Sequence, residues 1–265
     1  MKKTYLYPFI LLWSTITIAG GMGATSSNKT LRPLASIQGG YACMNASNKT
    51  QTYSGTDDNL FIYTPSSSNC NTGFYGIFLG GERFLRDISN HPIFLQLGLE
   101  YNNFSKTKIT GTNNVGVDAA SFTQYSYQFN IKTQQVLAGI KLLTTKRERY
   151  HPYGEAGLGI AFHQANNYSV STNETGSLNF TPDFVNSNNM KFSAILGLGL
   201  DVNIYQHIRA GLGYRFSYLN TATLGNGSVN LGNASLSNSN IPVTFNPKAS
   251  YLYANQLLGH ITYVV

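Results

Sequence analysis

Residues 93–102 read Ile-Phe-Leu-Gln-Leu-Gly-Leu-Glu-Tyr-Asn, and residues 208–218 read Ile-Arg-Ala-Gly-Leu-Gly-Tyr-Arg-Phe-Ser-Tyr. In the first, Ile93, Leu95, Leu97, Leu99 and Tyr101 share one parity, and Phe94, Gln96, Gly98, Glu100 and Asn102 hold the other. In the second, Ile208, Ala210, Leu212, Tyr214, Phe216 and Tyr218 alternate with Arg209, Gly211, Gly213, Arg215 and Ser217. A side-chain period of two is that of a β-strand, whose successive Cβ atoms point to opposite faces. Such strands, apolar on one side and polar on the other, suit half of a soluble sandwich or the wall of a membrane barrel. The period alone does not choose between them.

The connections do. The pattern recurs over 34–44, 73–86, 92–102, 125–143, 150–163, 191–204, 208–219 and 251–265. Long stretches rich in Asn, Ser, Thr and Gly (45–71, 103–124, 164–190 and 220–250) alternate with brief ones (87–91, 144–149 and 205–207). A sandwich has no reason to put every long loop at one end. Antiparallel outer-membrane barrels do so, with short periplasmic turns and long outer loops on an even number of strands. The expected fold is all-β: an eight-stranded antiparallel up-and-down transmembrane β-barrel.

The N-terminus carries Lys2 and Lys3, an apolar run over 6–18 and small residues over 19–24, the organisation of a secretory signal peptide. Cleavage is expected after Ala24, or alternatively after Gly21, leaving 25–265 as a single barrel domain. No continuously apolar segment reaches the ~20 residues that a membrane-spanning helix needs. Only 11% of residues are charged, and 18 Tyr and 15 Phe stand against one Trp. That composition favours strands and loops over helices. The formal charge of +7 is scattered, apart from Lys146-Arg147-Glu148-Arg149, so a nucleic-acid footprint is not expected.

At the other end, Leu257, Ile261, Tyr263 and Val265 share one face of the final strand. With this strand and the loop alternation, the chain resembles the small eight-stranded outer-membrane barrels of Gram-negative bacteria, the OmpA-like or opacity-type family within the porin-like superfamily. The resemblance spans the mature chain, although such proteins usually end in Phe or Trp and Val265 is not aromatic. It implies an outer-membrane location, with membrane lipid, lipopolysaccharide and the assembly machinery as partners.

An eight-stranded barrel has an interior just wide enough for side chains to fill. Turning the polar faces inward places Glu82, Glu100, Lys132, Lys141, Glu155, Asp201, Arg209 and Arg215 in the lumen. Buried charges are costly unless paired, so hairpin neighbours are expected to pair, Lys141 with Glu155 and Asp201 with Arg209, forming a plug. In the fourth strand Tyr125, Tyr127, Phe129 and Ile131 have one parity and Val136, Ala138, Ile140 and Leu142 the other. A bulge near 133–135 would reconcile them, because one extra residue restores the facing. Gly157-x-Gly159, Gly197-x-Gly199 and Gly211-x-Gly213 read as inward positions that leave room for larger neighbours, since a dinucleotide fingerprint needs a strand-to-helix turn. Tyr101, Tyr127, Tyr218 and Tyr251 read as an interfacial girdle.

Cys43 and Cys70 fall at the mouth of the first long loop, where an oxidising periplasm favours a disulfide. Two thiols without matching ligands make no zinc site, and no cofactor is expected. His91, His151, His163, His207 and His260 form no evident catalytic constellation in the sequence, so an enzyme is not expected. The reading is a non-enzymatic barrel whose loops serve envelope structure or adhesion to a host or surface ligand. The alternative is a narrow porin-like channel for ions or small solutes.

Overall fold

The computed structural model describes residues 31–47, 49–54, 60–66, 69–88, 91–116, 122–145, 149–172, 181–231, 239–243 and 245–265, with the backbone alone at 69–71, 88, 172, 230–231 and 239–241. The expected signal peptide, 1–24, lies outside the described residues. Among the described residues fourteen strands follow one another: β1 (Arg32–Asn45), β2 (Gln51–Ser54), β3 (Leu60–Pro65), β4 (Asn69–Ile88), β5 (His91–Phe104), β6 (Thr107–Gly116), β7 (Thr123–Thr144), β8 (Tyr150–Thr172), β9 (Asp183–Phe184), β10 (Ser187–Tyr205), β11 (Ile208–Thr223), β12 (Gly227–Leu231), β13 (Ser239–Val243) and β14 (Lys248–Val264).

Eight of them close a ring in the order β7-β5-β4-β1-β14-β11-β10-β8, sealed by the pairing of β7 with β8. Every neighbouring pair in the ring is antiparallel. Closure leaves no exposed sheet edge, which a β-structure in hydrocarbon requires. Outside the ring, large apolar side chains stand exposed: Ile37, Leu97, Leu99, Leu158, Leu196, Leu198, Leu212 and Leu257. The expected eight strands are these eight, each extended at its long-loop end by between one and nine residues.

The long loops are more than solvated connectors. Beyond the ring, β6 pairs with the outer half of β7, β3 with β6, and β2 with β3. A second sheet joins β13, β12 and β9. Together they build a cap with its own apolar interior, in which Phe61, Tyr63, Tyr127, Tyr168, Phe184 and Phe245 pack with Met44, Phe74, Phe104 and Leu252. The cap is fastened where β2 meets Phe245 and the first residue of β14. The Tyr53 ring stacks on Phe245 with centroids 4.5 Å apart. Gln51 Nε2 donates to the Lys248 carbonyl at 2.7 Å, and the Lys248 amide donates to Gln51 Oε1 at 3.1 Å. Burial pushes the Tyr63 and Tyr168 phenols well above the ordinary tyrosine range, so both stay neutral.

The expected bulge in β7 is not there. Its pairing with β5 runs unbroken through Asn103↔Gln134, Asn102↔Gln135 and Tyr101↔Val136, and burial alternates without interruption from Tyr125 to Leu143. Odd-numbered residues face inward throughout. What changes is the chemistry of that face, apolar inside the cap and polar inside the membrane ring. Tyr127 is accordingly an inward residue of the cap, 4% exposed, and not part of a girdle. The extra residue sits instead in β8, where the pairing with β7 shifts between Gln128 and Asn130 and Asn167 takes a φ of 56°. Asparagine tolerates this left-handed conformation better than most residues.

Candidate functional site

The lumen is graded from charge to amide to hydrocarbon. At the short-turn end Glu82 bonds both Arg32 and Arg209, and accepts from Gln96 Nε2 at 2.9 Å. Above it, Lys141 Nζ lies 2.9 Å from Asp201 Oδ2, His260 Nε2 is 2.8 Å from Asp201 Oδ1, and the Lys141 ammonium rests 3.6 Å from the centre of the Tyr153 ring. Above that, Arg215 spans Glu155 through Nε at 2.8 Å and Glu100 through Nη1 at 2.5 Å. Four basic side chains, Arg32, Lys141, Arg209 and Arg215, thus meet four carboxylates, Glu82, Glu100, Glu155 and Asp201.

The amides come next. Gln38 Nε2 donates to Glu100 at 2.6 Å and to Asn102 Oδ1 at 2.8 Å. Asn102 donates to Gln135 at 3.2 Å, and Gln135 to Ser193 Oγ at 2.5 Å. His163 closes this storey. Its Nε2 is 2.8 Å from the Leu219 carbonyl, which can only accept, so Nε2 carries the proton and Nδ1 accepts from Thr133 Oγ1 at 3.0 Å. Beyond His163 the interior is the apolar core of the cap.

Seven of the eight expected lumen residues are in the ring interior. Lys132 is not: it alternates with the buried Ile131 and Thr133 and so faces outward. Its placement inside the barrel came from assuming a bulge that β7 does not have. The expected hairpin pairs also change partners. Lys141 does stand opposite Glu155, yet it bonds Asp201, while Glu155 bonds Arg215. Asp201 lies opposite Gly211, and Arg209 reaches Glu82 across the chain. In so narrow an interior, long side chains bridge strands as readily as they meet a direct neighbour. Glycine makes the room: a Cβ at Gly197 would press on Glu155, and one at Gly213 would collide with the Tyr153 hydroxyl.

What remains among the charges is a space of about 30 Å³ edged by Gln38, Glu100, Lys141, Glu155, Arg215 and His260. That is room for water-sized molecules only. Among the described residues no group of three metal-ligating side chains converges. Gln96 stands directly opposite the Glu82 that it bonds, whereas strand register had no way to reveal Gln38, Tyr153 and His260 as partners of the charges, although each has inward parity in its strand.

No protein-family model matches the chain, and no curated protein does. Solved structures do resemble it. The outer membrane protein OprG from Pseudomonas aeruginosa superposes with a TM-score of 0.50 at 13% identity, covering 89% of this chain and 98% of OprG. The outer membrane protease OmpT from Escherichia coli gives 0.45 at 8% identity over 91% of this chain and 100% of its own. Neisserial surface protein A gives 0.41 at 11% identity over 87% and 96%. The closed ring, the apolar belt and the likeness to OprG define the class: an eight-stranded transmembrane β-barrel of the kind outer-membrane proteins adopt.

Proposed function

We propose that this chain is a non-enzymatic outer-membrane protein, in which the ring anchors and the folded cap is the part presented outside the cell for envelope structure or adhesion. The observation that carries this reading is that the interior is filled twice. Ion pairs cross the membrane storey, and an aromatic core fills the storey above it. A solute would have to part both. The histidines support the non-enzymatic reading: His163 and His260 face inward, His163 held by Thr133 and the Leu219 carbonyl, and His260 engaged by Asp201 and Lys141. In planar bilayers the purified protein is expected to give no stable conductance above baseline. A large, steady channel would replace the anchor reading with a pore.

A disulfide between Cys43 and Cys70 is part of the same proposal. The register places Ala42 opposite Thr72 and Met44 opposite Asn69, which brings Cys43 beside the stretch 70–71 at the foot of the cap. The Cys70 side chain lies outside the described residues. Closing a loop of about 28 residues stabilises by roughly 3 to 4 kcal/mol on the chain-entropy estimate. Denatured protein should show no reactive thiol until reductant is added. Two thiols titrating without reductant would remove the bridge from the account.

A further inference from the structure

Of the four basic side chains that meet carboxylates in the lumen, only Lys141 can become a nucleophile. The guanidinium groups of Arg32, Arg209 and Arg215 keep their protons, whereas a lysine amine that gives one up carries a free electron pair. Lys141 is placed to use it. Its Nζ donates to Asp201 Oδ2 at 2.9 Å and to Oδ1 at 3.2 Å. Contact with both oxygens brings the carboxyl Cγ within the roughly 3–3.5 Å of a near-attack arrangement.

His260 completes the contact. Its Nε2 lies 3.1 Å from Lys141 Nζ and 2.8 Å from Asp201 Oδ1, within reach of both the proton to be removed and the oxygen to be protonated. Its Nδ1 is buried and has no hydrogen-bond partner among the described residues. The His163 imidazole is fixed in one tautomer by bonds at both nitrogens. That of His260 is not, so its Nε2 is free to take up a proton and return it. Asp201 is fully buried, and the Tyr153 ring covers the ammonium at 3.6 Å. Glu155, opposite Lys141 on β8, is engaged by Arg215 and does not compete. Burying an ion pair is costly, and joining its two members as a neutral amide removes both charges.

We infer that Lys141 and Asp201 condense to an isopeptide bond that ties β7 to β10 across the intervening β8. His260 carries one proton from the ammonium to Oδ1, leaving a neutral amine and a neutral carboxyl. The Nζ electron pair forms the bond to Cγ. A second proton passes from the nitrogen through His260 to Oδ1 as the Cγ–Oδ1 bond breaks, and that oxygen departs as water. One N–H remains on the amide, and no oxidant or reductant takes part. The space of about 30 Å³ beside Lys141 and His260 receives the water. Well-oriented partners reach effective concentrations of about 10⁵–10⁸ M, so the folded lumen favours a condensation that the same groups, free in water, do not undergo.

The full chain is refolded from urea into detergent, incubated, then denatured, reduced and digested with trypsin for tandem mass spectrometry. Trypsin does not cut at an acylated lysine. The expected product is therefore fragment 133–146 joined through Lys141 to fragment 192–209, lighter than the two together by one water. An aspartate that closes to a cyclic imide also loses water, so the branched fragment decides. Protein kept in urea should contain none. Lys141→Arg keeps a cation at the site and should give no branched fragment, and His260→Asn should form it about a hundredfold more slowly. The shift between boiled and unboiled samples on a denaturing gel reports that each variant is folded. Folded wild type that trypsin cuts at Lys141, with no branched fragment, would overturn the inference whatever the variants do. The same fragment arising in urea, or forming at an unchanged rate in His260→Asn, would overturn it as well.

Discussion

Arg215→Met is expected to destabilise the barrel by about 3–5 kcal/mol, because it leaves Glu100 and Glu155 in the lumen without their cation. Arg215 is 1% exposed and among the largest fully buried side chains, so little solvent stands ready to screen the two carboxylates. The loss should appear as a lower urea midpoint for the gel-shifting folded form. Changing all three residues together, Arg215→Met with Glu100→Leu and Glu155→Leu, should recover most of it, since removing a buried ionic cluster whole is far less costly than removing one member. A single variant as stable as wild type would mean that water, rather than Arg215, compensates the two glutamates.

The second large effect lies in the cap. Phe245 stacks on Tyr53 and lies within 5.2 Å of the Phe61 ring and 6.0 Å of the Phe184 ring, centre to centre. Phe245→Ala removes the residue around which these rings gather, and truncating a buried aromatic costs about 3–5 kcal/mol. The cost should fall on the cap alone, because the ring strands keep their hydrogen bonds and the lumen its ion pairs. Limited proteolysis should therefore cut the variant in its long-loop half while the heat-modifiable barrel core survives. If the barrel were lost together with the cap, the two storeys would form one cooperative unit.

The ring was legible in the sequence because lipid enforces a strict alternation: Leu97 and Leu99 must face out and Glu100 must face in. The cap was not. Its strands β2 and β3 are short, and residues such as Thr52 and, in β6, Thr110 and Thr112 lie in stretches whose composition reads equally as loop. The decisive clue was present in β7, where Tyr125, Tyr127, Phe129 and Ile131 have the parity of the lumen. In the sequence that switch looks like a change of facing, and in the structure it is a change of medium. Lys132 was lost to the same assumption. Partner choice in the lumen was illegible for another reason: strand register fixes neighbours along the sheet, whereas Arg209 and Arg215 reach their carboxylates across a cavity that no linear pattern describes.

The 22 residues of β7 carry one geometric alternation through two media of opposite polarity. A slip of one residue would turn Lys141 toward hydrocarbon and, in the same movement, Tyr125, Tyr127 and Phe129 toward water, since one step reverses every side chain of a strand. An ordinary barrel strand is proofread by lipid alone. This one is checked from both ends by different solvents, and no compensating change at one end can rescue an error at the other.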